Sequence, residues 1–242
     1  MTRALGADER ARFEERGYLA PLRVLSDEAV DACRGRVEQR VAEIDDPDAL
    51  RTKAHLQIPA LMELVHLPAV VDPICDLLGA DVLCRSATVF LKEPQAPSFV
   101  AWHQDAAYWN LDPPDVATAW IALTDSTTEN GALRVLPGSH RAPLLAHTPI
   151  GDPDNMLFHR QAITDPIDEH RAVTVTLDAG EMSIHHVRIA HSSGPNRSRE
   201  RRIGFAIRYV AAHVRKSGPR RDSALVVRGV DRYGNFDPEP IA

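Results

Sequence analysis

The chain has 242 residues, 44% apolar and 26% charged, which suits one compact globular domain and excludes a disordered, collagen-like or coiled-coil protein. Its 28 basic residues against 34 acidic ones, a net charge of −6, give no sign of a nucleic-acid binder. Mean hydropathy is −0.25, no apolar run approaches the ~18 residues of a membrane span, and the start MTRALGADERARFEE lacks the apolar core of a signal peptide. Three cysteines (Cys33, Cys75, Cys84), odd in number and without metal-type spacing, point to the reducing cytoplasm rather than to a disulfide framework.

The first 80 residues read mainly as helix. Ser26 is placed to cap a helix with Asp27 and Glu28 in its first turn, and Val30, Cys33, Val37, Val41 and Ile44 follow helical spacing up to Asp45–Asp48. A second helical run spans Ala60 to Leu78, contains two prolines and stops at Gly79. Beyond Gly79 the pattern changes to short β-like runs: Val82–Lys92, Thr118–Thr124, Val173–Leu177, Met182–Ile189 and Ile203–Val214. Turn signals such as Glu129-Asn130-Gly131 and Pro137-Gly138-Ser139 separate them, and His140–Arg171 is an irregular stretch long enough to be a lid or binding loop. The expected architecture is mainly β. A single domain over residues 1–242 has a jelly roll, or double-stranded β-helix, over about 81–215, supported by a helical layer over about 1–80.

The candidate chemistry starts at Trp102-His103-Gln104-Asp105. On a strand, residues i and i+2 face the same way, so His103 and Asp105 can converge on one ion. Firm binding needs a third ligand, and GEMSIHHVRIAHSS supplies three candidates, His185, His186 and His191. Two histidines and one carboxylate form the ligand set of non-haem Fe(II) oxygenases, and they suit catalytic zinc equally well. Arg202, eleven residues past His191 on the next strand, separates the two readings. An oxygenase that uses 2-oxoglutarate must hold a carboxylate in a dry pocket, where a planar, permanently charged guanidinium fits, whereas a zinc hydrolase has no such requirement. Most of the other basic residues nearby, Arg208 among them, read as a solvated face or an anion-attracting rim. Trp102, Tyr108 and Trp109 read as packing residues, with a wall over the metal as the alternative.

Taken in order, WHQDAAYWNL, AWIALTDSTTENGALRVLPGSHR and AGEMSIHHVRIAHSSGPNRSRERRIGFAIRY resemble the phytanoyl-CoA dioxygenase-like family of Fe(II)/2-oxoglutarate oxygenases, and the resemblance runs from Phe13 to Tyr209. It implies that His103, Asp105 and His191 ligate Fe(II). It also implies that Arg202 binds the 2-oxoglutarate carboxylate with help from Ser193, and that Trp120, Thr88 and Lys53 line or reach the cosubstrate site. In the same pattern His186 is a supporting or substrate-facing residue, while His185 points to the opposite face. The carboxylate at Asp105 speaks against halogenation, since halogenating members have a small residue there. The implied reaction uses O2 and 2-oxoglutarate to hydroxylate a small molecule and releases succinate and CO2. A desaturase or cyclase on the same site, a zinc hydrolase and a non-catalytic binding protein are the alternatives. Candidate substrate contacts are Trp109, Phe158, His159, Arg160 and Arg188.

Overall fold

The computed structural model describes residues 4–157, 161–218 and 221–240. Helix α1 (Ala7–Arg16) leads into strand β1 (Tyr18–Arg23), and α2 (Asp27–Glu43) starts at Ser26, whose hydroxyl accepts the Ala29 amide at 3.3 Å as an N-cap should. The helical run expected over Ala60–Leu78 divides into α3 (Pro59–His66) and α4 (Pro68–Leu78). Pro68 makes the break, because it has no amide proton to continue the first ladder yet suits the opening position of a new helix.

After α4 come β2 (Val82–Lys92), β3 (Val100–His103), the single-turn helix α5 (Ala106–Trp109), β4 (Leu111–Asp112), β5 (Val116–Ala122) and β6 (Leu133–Val135). They are followed by β7 (His147–Pro149), β8 (Gln161–Ile163), β9 (Val173–Val175), β10 (Glu181–His186), β11 (His191–Ser193) and β12 (Arg202–Ala211). Strands β13 (Arg215–Lys216), β14 (Ser223–Arg228) and β15 (Asp237–Pro238) complete the described chain. The major sheet has the order β1-β10-β5-β12-β2-β14-β15 and the minor sheet β3-β11-β6-β9, and together they form a jelly roll. Ribbons β4–β13 and β7–β8 stand apart from both sheets, the second within the stretch expected to be irregular.

Two expected boundaries are corrected. The helical layer is interrupted by β1, which pairs with β10 at one edge of the major sheet, where Pro21 leaves no central ladder bond unmade. The jelly roll also continues past residue 215, since β14 pairs with β2 and β15 with β14 at the other edge.

Alternation along the central strands places the core and the cavity on opposite faces. Ile203, Phe205, Ile207 and Tyr209 of β12, Ala117, Ala119 and Ile121 of β5, and Met182 and Ile184 of β10 pack with the helices in one cluster. The intervening residues face the minor sheet, where Trp120, Leu133, Val135, Ile189 and Ala206 form a smaller cluster. The buried Tyr209 hydroxyl ties the two layers by donating to the Val65 carbonyl of α3 at 2.9 Å. Tyr209→Phe leaves that carbonyl without its donor and should lower the unfolding free energy by about 1–3 kcal/mol. Denaturant titration measures this, with metal affinity as the control for an intact site.

Candidate active site

His103 is the last residue of β3 and His191 the first of β11, and the two are directly paired across the minor sheet, with ring centroids 4.0 Å apart. Asp105 does not continue the strand as expected. It opens the turn of α5 with φ −55° and ψ −36°, and that turn brings its Oδ1 to 3.5 Å from His103 Nε2. One ligand atom from each of the three residues lies within 4.8 Å of the others, and all three residues are buried. The Nδ1–H of His103 donates to the Ala101 carbonyl at 2.9 Å, and that of His191 to the Ile189 carbonyl at 3.0 Å. Each bond sets the tautomer that turns Nε2 toward the cluster as a neutral ligand. Burial, reinforced by His103, holds the His191 imidazole well below its usual range. Burial opposes the charge of Asp105, but the close contact with His103, together with His191 and the charge of Arg208, outweighs it and keeps the carboxyl below the usual carboxylate range. These donors suit a divalent transition metal with coordination positions to spare.

Arg202 lies across the cavity at the start of β12, 3% exposed. One of its terminal nitrogens donates to the Gly131 carbonyl at 2.6 Å, and its plane lies over the Trp120 ring, 5.3 Å from the centroid. Its Nε has no partner, and no ion pair among the described residues reaches it. Burial lowers its pKa to about 10, so it stays charged at neutral pH. The Ser193 hydroxyl donates to the same carbonyl at 2.6 Å and lies 3.5 Å from Arg202. Two glycines make this corner possible. Gly131 has φ +79°, and a Cβ there would meet the Gly194 carbonyl oxygen at 2.1 Å. A Cβ on Gly204 would lie 2.0 Å from the Trp120 ring.

The cavity brings together His103, Asp105, His191, Arg202, Ser193 and Trp120. It does not include the other two expected residues. Lys53 adopts φ +49° at the start of a short turn, and its ammonium is committed to Ser223 at 2.5 Å and to the buried Glu239 of the C-terminal segment. Thr88 is on the inner face of β2, level with Ala206, but its hydroxyl donates to the Arg51 carbonyl at 2.8 Å and accepts from Arg208. The two neighbouring histidines exchange their expected places. His185 has the inward parity of Ser183 and lines the cavity, its ring 4.8 Å from that of His191, and burial lowers its pKa to about 4. His186 points outward, packs against Phe13 and His140, and accepts the Arg188 amide at 3.0 Å. The pairing of His185 with Thr118 across β10 and β5 carries its ring to the cavity face, against the place the resemblance implies for it. Of the candidate substrate contacts, Trp109 lies near Arg208, Arg188 donates to the Ala142 carbonyl at 2.6 Å, and Phe158, His159 and Arg160 fall outside the described residues.

Arg208 in the cavity and Lys92 beside its Arg202 corner escaped the sequence reading. Arg208 is six residues from Arg202 on the same face of β12, so alternation in RRIGFAIRY carries the signal. Lys92, fully buried at the end of β2 and paired with Arg202 in the ladder, donates to Ser193 Oγ at 2.6 Å and to the Gly194 carbonyl, and no sequence pattern marks it. Burial, with a smaller contribution from Arg202, lowers its pKa from 10.5 to about 6. Between those values the unfolded chain binds more protons than the folded one, so this lysine makes stability rise with pH. The unfolding free energy of wild type minus that of Lys92→Met should therefore increase from pH 6 to pH 9 in parallel denaturant titrations. A flat difference would show that the ammonium keeps its ordinary pKa.

Comparison with known proteins agrees with this geometry. The family model for phytanoyl-CoA dioxygenase matches residues 13–204. The solved structure of the apo form of the non-heme monooxygenase ThoJ superposes with a TM-score of 0.85 at 36% identity, covering 97% of this chain and 88% of that one. L-proline trans-4-hydroxylase of Streptomyces griseoviridis is 29% identical over 250 residues, 91% of this chain and 92% of its own length. The probable alpha-ketoglutarate-dependent hypophosphite dioxygenase of Stutzerimonas stutzeri is 29% identical over 184 residues, 76% of this chain but only 60% of its own length. The jelly roll, the buried histidine–aspartate–histidine cluster and a family match over most of the chain make this protein a member of the phytanoyl-CoA dioxygenase family.

Proposed function

We infer that the protein is an Fe(II)- and 2-oxoglutarate-dependent dioxygenase that hydroxylates a C–H bond of a small organic molecule. The observation that carries this reading is the juxtaposition of the buried histidine–aspartate–histidine cluster with a buried guanidinium that has no anionic partner among the described residues. His103, Asp105 and His191 would hold the metal. When bound, Fe(II) supplies the activation of O2 that is coupled to conversion of 2-oxoglutarate into succinate and CO2. Arg202 binds the far carboxylate of the cosubstrate. Trp120 stiffens the guanidinium from one side, while Gly131 and Ser193 orient it from another. Phe90, Val100, Leu133 and Leu157 line the same cavity and limit water, which strengthens the charge pairing. No helix among the described residues is long and apolar enough to cross a membrane, and the three free cysteines fit a cytoplasmic location.

Anaerobic titration with Fe(II) and 2-oxoglutarate tests the reading through the weak visible charge-transfer band of the chelate. Wild type should form the band, and His191→Ala should lose it together with metal binding. Arg202→Ala should raise the 2-oxoglutarate concentration for half-saturation on the order of a hundredfold, the loss expected when a charged, two-pronged contact is removed. Iron binding without the band would reject the oxygenase reading in favour of zinc chemistry.

A further inference from the structure

The wall of the cavity opposite Arg202 carries a second site. His185 on β10, Thr118 on β5 and Arg208 on β12 are direct neighbours across three adjacent strands, for His185 pairs with Thr118 and Thr118 with Arg208. All three line the cavity, and His185 Nδ1, Thr118 Oγ1 and Arg208 Nε are buried without a hydrogen-bond partner. Hydroxyl and guanidinium N–H are donors, as is the imidazole when Nδ1 carries the proton, so the wall can turn three donors toward one ligand. Arg208 is held in place by bonds to Thr88 and, at 3.3 Å, to the Ala206 carbonyl, and it lies within 6.0 Å of the Trp109 ring. No ion pair among the described residues reaches it.

The charge of the cavity points the same way. Asp105 is the only carboxylate among the described lining residues, against the two guanidiniums of Arg202 and Arg208. A divalent metal and a doubly charged 2-oxoglutarate cancel, so the loaded cavity retains one positive charge. A buried cation left unpaired is costly, and one further anion removes the excess. Arg202 is then occupied, and the second arginine is rooted six residues along the strand, its Cα roughly 20 Å away.

We propose that the Arg208–Thr118–His185 wall binds a carboxylate of the primary substrate, which makes the substrate a small carboxylic acid with an apolar body. The proposal rests on the oxygenase reading for the identity of the second anion, and its test is separable from that reading. The protein is loaded with Zn(II) and saturating 2-oxoglutarate, so that Arg202 is occupied and no turnover occurs. Binding is measured by saturation-transfer NMR for three matched pairs: L-proline and L-prolinamide, benzoate and benzamide, cyclohexanecarboxylate and its carboxamide. At least one carboxylate should bind tenfold or more tighter than its amide, the margin expected of a charge-assisted bond over a neutral one. Arg208→Gln should abolish that preference and Arg208→Lys should retain most of it. Absence of a carboxylate preference in all three pairs, or its survival in Arg208→Gln, overturns the proposal. Failure of the oxygenase reading registers elsewhere, as an absent Fe(II)–2-oxoglutarate band. The wild-type comparison within each pair stands even where a variant does not fold.

Discussion

Buried positive charge without protein anions to match is the constraint around which this molecule is organised. Arg202 is fully enclosed, and Arg208 faces the same cavity farther along the strand. A fold selected for stability alone would pair these cations or replace them with apolar groups of similar volume. Here the guanidiniums are held instead by uncharged partners: the Gly131 carbonyl and Trp120 for Arg202, and Thr88 with the Ala206 carbonyl for Arg208. Each cation is thereby oriented but not neutralised. Such a site waits for anions that arrive from solution, and it ties substrate and cosubstrate binding to stability as well as to chemistry.

The metal ligands obey a different logic, because their charge must stay low until an ion arrives. Both histidines are fixed by backbone carbonyls two residues earlier in the chain, at Ala101 and Ile189, so the peptide chain itself selects the tautomer. Burial then favours the neutral imidazole at His191, and the nearness of both rings stabilises the one carboxylate that must remain ionised. The direct pairing of His103 with His191 makes the distance between two ligands a property of the minor sheet, which leaves only Asp105 to be placed by the short turn of α5.

How much of this was legible follows from which interactions are local. Strand β2 was readable to the residue, and β12 nearly so, because their two faces meet different surroundings and their alternation is long. Strand β1 was not, since six residues containing a proline carry too little pattern to be told from the helical segments around them, and only pairing with β10 makes them a strand. Within the site, the separation of His103 and Asp105 was visible but the local geometry behind it was not, because a turn and a strand can both bring residues i and i+2 together. The assignment of His185 and His186 failed for another reason: it followed the family pattern, whereas the pairing of β10 with β5 decides which ring faces the cavity. Lys53 was drawn away by Glu239, a partner 186 positions distant that no local pattern announces.

The two arginines share one strand, while the metal ligands come from β3, β11 and α5. On the proposed reading, cosubstrate and substrate anions are referenced to the major sheet and the metal to the minor one, and the packing between sheets runs through Trp120, Leu133 and Ala206. The surroundings of the two arginines differ in kind. Arg202 sits in a corner closed by backbone carbonyls and by glycines that no larger residue can replace without displacing Gly194 or Trp120. Arg208 is bordered by side chains, among them Trp109 of α5, which is itself stacked at 5.0 Å on Arg85 from the ion-pair cluster with Asp222. Substitutions around Arg208 can reshape the substrate end without moving the backbone on which Arg202 depends. On the proposed reading, a cosubstrate corner made of main chain and a substrate wall made of side chains divide the cavity, so the wall can change while the corner stays fixed.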